Sequence, residues 1–217
     1  MKKDIHNVKR ISRFGKIKKR DFSSLFIMLR SSIMEVIMKE LSLHILDIVQ
    51  NSIKANATFI EVILSESTIE NTFKIIIKDN GCGMDEDTVK NVINPFFTTR
   101  TTRKVGLGIP LLEEATNRCN GSFNIESQIG VGTTINCCFE RNNIDRAPLG
   151  DISGTIMTII NSLMNCEFRY LHNVDEKFFE LSTKKLKEVL GDNNLNSPEI
   201  LLWIKEYVDE STNELYN

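Results

Sequence analysis

Several things are missing from this chain, and each absence removes a class of protein. Its five cysteines, Cys82, Cys119, Cys137, Cys138 and Cys166, include no CxxC pair, the spacing a structural zinc site ordinarily uses. An odd cysteine count with no cleavable signal sequence is the profile of reduced thiols in a cytoplasm. Long apolar runs are absent too. The most apolar early stretch, Leu25 to Met38, is interrupted by Arg30 and Glu35 and is too short and too charged to span a bilayer. There is no GxxxxGK[ST], so no Walker A phosphate loop, and there is no internal repeat.

What remains is ordinary in bulk and uneven in detail. The 217 residues are 41% hydrophobic and 26% charged, the composition of a soluble globular chain long enough for one or two cores. The net charge of -2 hides an asymmetry: residues 1–33 carry ten Lys/Arg against Asp4 and Asp21, whereas the remainder carries an acidic excess. A basic tail on an acidic body is not the profile of a nucleic-acid-binding fold, although the tail alone can touch an acidic surface.

Three regions follow from patterning. Residues 1–33 lack sustained periodicity and read as a loosely ordered extension; Met34 or Met38, just before the first patterned segment, is an alternative translation start. Residues 34–142 alternate helix and strand. A long amphipathic helix over 35–56 is followed by strands FIEVIL (59–64) and FKIIIKD (73–79) and a short helix after Asp85. A Thr-, Arg- and Gly-rich loop over 94–108 then leads to a helix with Pro110 in its first turn, and SFNIES (122–127) and TTINCCF (133–139) form a hairpin. Residues 145–217 read as a separate small α/β module: a helix near 149–163, strands EFRYLH and KFFEL, and helices at 183–190 and 198–211, the last opened by Ser197-Pro198-Glu199. In TTINCCF, neighbouring positions point to opposite faces, so at most one of Cys137 and Cys138 belongs in the core; a packed hairpin is favoured over redox sensing.

Five polar elements carry the chemistry. Glu40, His44, Asp47, Asn51 and Lys54 recur at helical spacing and share one face; alone, such a stripe is a solvated surface. Asp79-Asn80-Gly81-Cys82-Gly83-Met84 ends an apolar strand. A carboxylate there can accept a hydrogen bond from an exocyclic amine, and glycines allow close backbone approach. Asn94-Pro95-Phe96-Phe97-Thr98-Thr99-Arg100 opens a hydroxyl- and cation-rich loop of the kind that closes over phosphates. Val105-Gly106-Leu107-Gly108-Ile109-Pro110 precedes a helix, where free N–H groups can meet an anion. It follows a loop and not a strand, which excludes a dinucleotide fingerprint. Gly130-Val131-Gly132-Thr133-Thr134 is the fifth. Each is weak alone; the ordered set is specific.

In that order the set resembles the N, G1, F, G2 and G3 boxes of the GHKL ATPases (histidine kinases, gyrase, chaperones, mismatch-repair proteins; the HATPase_c domain), carried here by LDIVQNSIKANA, DNGCGM, PFFTTR, VGLGIP and GVGTT. The resemblance covers about half the chain. It implies an α/β architecture, an α+β two-layer sandwich of the Bergerat type with a mixed sheet, binding ATP and Mg²⁺. It further implies that Asn51 ligates the metal, Lys54 approaches the phosphates and Asp79 reads the adenine amine. Gly83 would leave room beside the base, with Gly81 and Met84 in the same box; Phe97 and Lys104 belong to the lid. Gly106, Leu107 and Gly108 would offer backbone to the phosphates, and Thr133 would support the adenine site.

Asp47 stands where relatives with a general base carry Glu; a carboxylate one turn before Asn51 can serve as that catalytic base, on a shorter arm. Lys54 and PFFTTR look instead like histidine kinases. A complete histidine kinase needs an acceptor histidine on a dimerising hairpin, and only His6, His44 and His172 exist. HILDIVQ lacks the acid-then-proline acceptor pattern. DRAPLGDISGTI and LGDNNLNSPEILLWIKEY also resemble stand-alone ATPase-like proteins of anaerobic bacteria found near iron-only hydrogenase genes. The expectation is a cytoplasmic, ATP- and Mg²⁺-binding regulator that transfers the γ-phosphate to a protein partner. The alternatives are an ATP-hydrolysing conformational switch or a silent nucleotide-binding module. No membrane or nucleic-acid partner is expected of the core, and a homodimer is left open.

Overall fold

The computed structural model describes residues 39–93, 108–191 and 194–217. Helix α1 (Leu41–Lys54) buries Leu41, Ile45, Ile48 and Val49, the spacing of one helical stripe; the expected turns before residue 39 lie outside the described residues. Strands β1 (Phe59–Ser67) and β2 (Thr72–Asp79) form an antiparallel pair with Ile60 opposite Asp79. Helix α2 (Glu86–Val92) starts where Asp85 accepts a 2.6 Å bond from the Thr88 amide, an N-cap. Helix α3 (Gly108–Arg118) leads to the hairpin β3 (Ser122–Gln128) and β4 (Gly132–Glu140). There follow α4 (Ile152–Ser162), β5 (Glu167–Val174), β6 (Lys177–Ser182), α5 (Thr183–Leu190) and α6 (Pro198–Leu215).

The strands form one mixed sheet in the order β3-β4-β2-β1-β5-β6. Within the stretch read as a separate module over 145–217, β5 lies parallel to β1, with Phe59 opposite Glu167, so its two strands extend the same sheet. The physical reason is the free edge of β1, whose backbone groups need partners. A parallel neighbour requires a crossover of a dozen or more residues. Period-two patterning fixes which side chains of EFRYLH turn inward but not which strand it joins.

Alternation along the strands buries one face. Ile60, Val62 and Leu64, Phe73, Ile75 and Ile77, Ile135, Cys137 and Phe139, and Phe168 and Tyr170 share one core with α1, α3, α4 and α6. On the other face Glu61 pairs with Arg169 (3.1 Å) and Lys78 (3.7 Å). Cys137 is buried while Cys138 is half-buried, and burial pushes the Cys137 thiol up to about 12, leaving it inert.

The start of α1 is fixed by the stretch preceding α4. The amides of Leu41 and Ser42, which no intrahelical carbonyl can satisfy, donate to Pro148 and Leu149 carbonyls, each at 2.9 Å. Arg146 lies 5.0 Å above the Phe73 ring. DRAPLGDISGTI thus acts as a clamp that sets the helix on which Asp47 and Asn51 sit.

At the far end of β1 lies a buried polar cluster. Glu66 accepts from Arg141 Nε at 3.0 Å and from the Tyr216 hydroxyl, and His172 Nε2 is 3.5 Å away. His172 Nδ1 is 3.0 Å from the Tyr170 hydroxyl. Burial would raise the Glu66 pKa, but hydrogen bonds from His172, Tyr216 and Arg141 outweigh it and hold the carboxyl at about 2.

Candidate functional site

The opposite end of the central strands opens into a cavity of about 450 Å³ lined by Asn51, Ser52, Lys54, Asp79, Gly83, Met84, Thr133 and others, a volume suited to a small organic ligand. Apolar walls come from Ile48, Val92, Ile109 and Ile135. Polar groups are few and convergent.

Asp79 is the best ordered of these. Its Oδ2 accepts from the Ser52 hydroxyl at 2.7 Å, and its Oδ1 accepts from the Gly81 amide at 2.9 Å. Both oxygens are held, so the carboxylate is presented in one orientation. Asn80 fixes the turn behind it, accepting from the amides of Thr58 (2.9 Å) and Phe59 (2.8 Å). Thr133 is the register partner of Asp79 across β2 and β4. Its hydroxyl sits 2.9 Å from Ser127 Oγ, which also accepts from the Met84 amide at 2.8 Å.

The glycines of DNGCGM act first on the protein itself. Gly83 has φ +65, and a Cβ there would overlap the Gln128 carbonyl, so only glycine lets the hairpin close on the turn. Gly81 packs against Ala55. The Cys82 amide donates to the Ala55 carbonyl at 3.0 Å, and the Gly130 amide donates to the Cys82 carbonyl at 2.9 Å.

Of the polar stripe on α1, Asn51 and Lys54 line the cavity, whereas His44 is buried at 3% exposure. Asn51 Nδ2 donates to Asp47 Oδ2 at 3.4 Å. With its amide nitrogen turned to Asp47, Asn51 has its carbonyl oxygen left for a cation. Asp47 does not line the cavity directly; it faces the start of α3, where a Cβ on Gly108 would overlap its carboxylate. Phe97, Lys104, Gly106 and Leu107 lie outside the described residues.

Ser52, Ser127, Asn56, Thr88 and the apolar walls were not singled out by sequence. Ser52 stands beside Asn51 within the helical motif, and that adjacency was the available signal. Ser127 offered none, because an isolated serine in a strand is unremarkable.

Known proteins match this part of the chain. Residues 38–143 match the family described as Histidine kinase-, DNA gyrase B-, and HSP90-like ATPase. Over 97 residues the chain is 36% identical to a protein of Shewanella frigidimarina named as a sensor, and over 97 residues it is 33% identical to sensor histidine kinase YvrG of Bacillus subtilis. Over 60 residues it is 40% identical to the signal transduction histidine-protein kinase AtoS of Escherichia coli. These stretches cover 44%, 42% and 28% of this chain but only 15%, 16% and 10% of those relatives. Among the described residues no helix is long and apolar enough to cross a membrane.

Proposed function

We propose, from the premise that residues 38–143 are an ATP-binding HATPase_c domain of the GHKL superfamily, that this chain binds ATP with Mg²⁺ and passes the γ-phosphoryl group to a partner protein. The observation that carries the reading is Asp79, clamped by Ser52 and Gly81 in a cavity shared with Asn51 and Lys54. Such a carboxylate accepts the adenine amine, while Met84, Val92 and Ile109 exclude water from the base. Mg²⁺ suits the site because it keeps most of its waters and needs few protein ligands; the Asn51 carbonyl is the ligand offered. Bound there, the metal neutralises phosphate charge.

Asp47 is the base in this reading. It neighbours Asn51 one turn away, where it can take the proton of an attacking hydroxyl or imidazole. The two described histidines, His44 and His172, are 3% and 0% exposed. A buried ring does not reach a γ-phosphate, which argues against either of these two as the acceptor. The resemblance of the C-terminal stretches directs the search for it to proteins encoded near iron-only hydrogenase genes.

Incubating the purified chain with γ-labelled ATP and cell extract tests the reading. A labelled protein that disappears with Asn51→Ala supports it; release of free phosphate alone favours the conformational switch; neither outcome leaves a binding module. Asp47→Asn keeps size and hydrogen bonding but removes basicity. Its single-turnover rate should fall by about a hundredfold or more, with ATP affinity little changed. A rate within about threefold of the parent removes Asp47 from the chemistry.

A further inference from the structure

Strand β6 ends the sheet, and among the described residues no strand pairs with its outer side. The direction of its backbone groups can be read from its neighbours. The amides of Glu167 and Asp175 donate to Thr58 and Glu66 carbonyls of and beside β1, each at 2.9 Å, so the odd-numbered residues of β5 turn their backbone toward β1. The Thr183 hydroxyl accepts from the Phe168 amide at 2.9 Å and donates to its carbonyl at 3.2 Å. The even-numbered residues therefore face β6. By antiparallel alternation, Val174, His172 and Tyr170 exchange backbone bonds with Lys177, Phe179 and Leu181. The N–H and C=O groups of Phe178 and Glu180 point outward, and among the described residues no strand receives them.

Exposed aromatic side chains stand beside the charges of this edge, among them Lys177 and Glu180, the latter paired with Lys185 at 2.9 Å. Phe178 is 68% exposed, and Trp203 and Tyr207 on α6 are 46% and 39% exposed. Tyr207 meets the Phe179 ring edge-on at 5.5 Å and stacks on Trp203 at 5.3 Å.

We propose that β6 pairs with β6 of a second copy of this chain, about a two-fold axis at Phe179, to make one continuous sheet. Residues directly opposite in an antiparallel pair share a face, so the axis must pass through a residue. At Phe179 it sets Phe178 opposite Glu180 of the second copy, matching the free donors and acceptors in pairs. At Glu180 it would set two like carboxylates face to face. The Phe179 axis also places Asp175 and Glu176 of each copy opposite Thr183 and Ser182 of the other, beside the exposed Lys184. An acidic turn meets a basic helix start twice, by symmetry. This self-complementarity favours a second copy over a foreign strand.

Light scattering on the full chain at tens of micromolar tests the interface. The unmodified chain should have the mass of a dimer. Glu176→Lys should weaken dimerisation by about tenfold or more through repulsion by Lys184. Adding Lys184→Glu to it should restore the dimer, because both sites then reverse together. Glu176 and Lys184 are both exposed, and unchanged circular dichroism and ATP titration would show that the variants fold. A monomeric parent overturns the proposal and leaves the edge to a foreign strand. A dimer indifferent to Glu176→Lys and to Phe178→Glu also overturns it, as does one lost only when residues 1–38 are removed.

Discussion

A carboxylate at a strand end rotates unless something holds both oxygens, and at Asp79 that task falls to Ser52 and Gly81. Ser52→Ala should therefore cost ATP affinity, chiefly by freeing the Asp79 carboxylate to rotate. Hydrogen bonds to charged groups are worth about 1.5–3 kcal/mol, so the ATP Kd should rise by roughly ten- to a hundredfold in calorimetric titration. The free protein loses the same bond and should melt a few degrees lower; an unchanged Kd would mean that Asp79 needs no orienting. Glu66 makes a different prediction. Its folded pKa of about 2 lies below the ordinary 4.5, so the ionised form stabilises the fold. That contribution is complete above about pH 4.5 and is lost as pH falls toward 2. The difference amounts to roughly 3 kcal/mol. Melting followed from pH 7 to 3 should show this loss, and Glu66→Gln, destabilised at neutral pH, should show a shallower acid slope. Equal slopes in the two proteins would assign the acid sensitivity elsewhere.

Helix α3 meets α1 where Gly108 touches Asp47, and this contact joins two elements that carry separate parts of the site. Gly108→Ala has two opposed effects. Alanine favours a helix over glycine by up to about 1 kcal/mol in a helix interior and by less at a first residue such as this, while its methyl displaces the Asp47 carboxylate, a side chain able to rotate. Melting should thus shift little, whereas phosphoryl transfer should drop along with Asp47→Asn. Retention of full rate by a folded Gly108→Ala protein would separate the contact from catalysis. Most elements were legible in sequence for physical reasons. Asp85 and Ser197-Pro198 announce helix starts by their capping chemistry, and the strands alternate cleanly. Asp79, Asn51, Lys54, Met84 and Thr133 were legible as a set and line one cavity. What was hidden depended on partners distant in sequence. Ser52 is an ordinary helical serine until β2 delivers Asp79 beside it. Gly83 was read as making room for a base, yet its φ and the Gln128 carbonyl already require glycine. His172 means little without Glu66 and Tyr216 around it.

The whole molecule depends on β5 more than the extent of the family match would suggest. A chain ended after residue 143 would keep every residue of that match but strip the partner from β1, along with α4 from the flank of α1. Ile60, Val62 and Leu64 would lie along an unpaired edge, an invitation to aggregation. Such a truncation should be insoluble or lack a cooperative melt, and a soluble, ATP-binding product would show that β5 is dispensable. The same pairing bears on synthesis. Phe59 and its register partner Glu167 are 108 positions apart. At translation rates of about 5–20 residues per second, roughly 5–20 s separate the emergence of β1 from that of the strand that seals it. During that interval the nascent nucleotide pocket already has Asp79 and, later, Thr133, but its central strand stays open, so a growing chain is a natural client for chaperones that shield exposed strand edges.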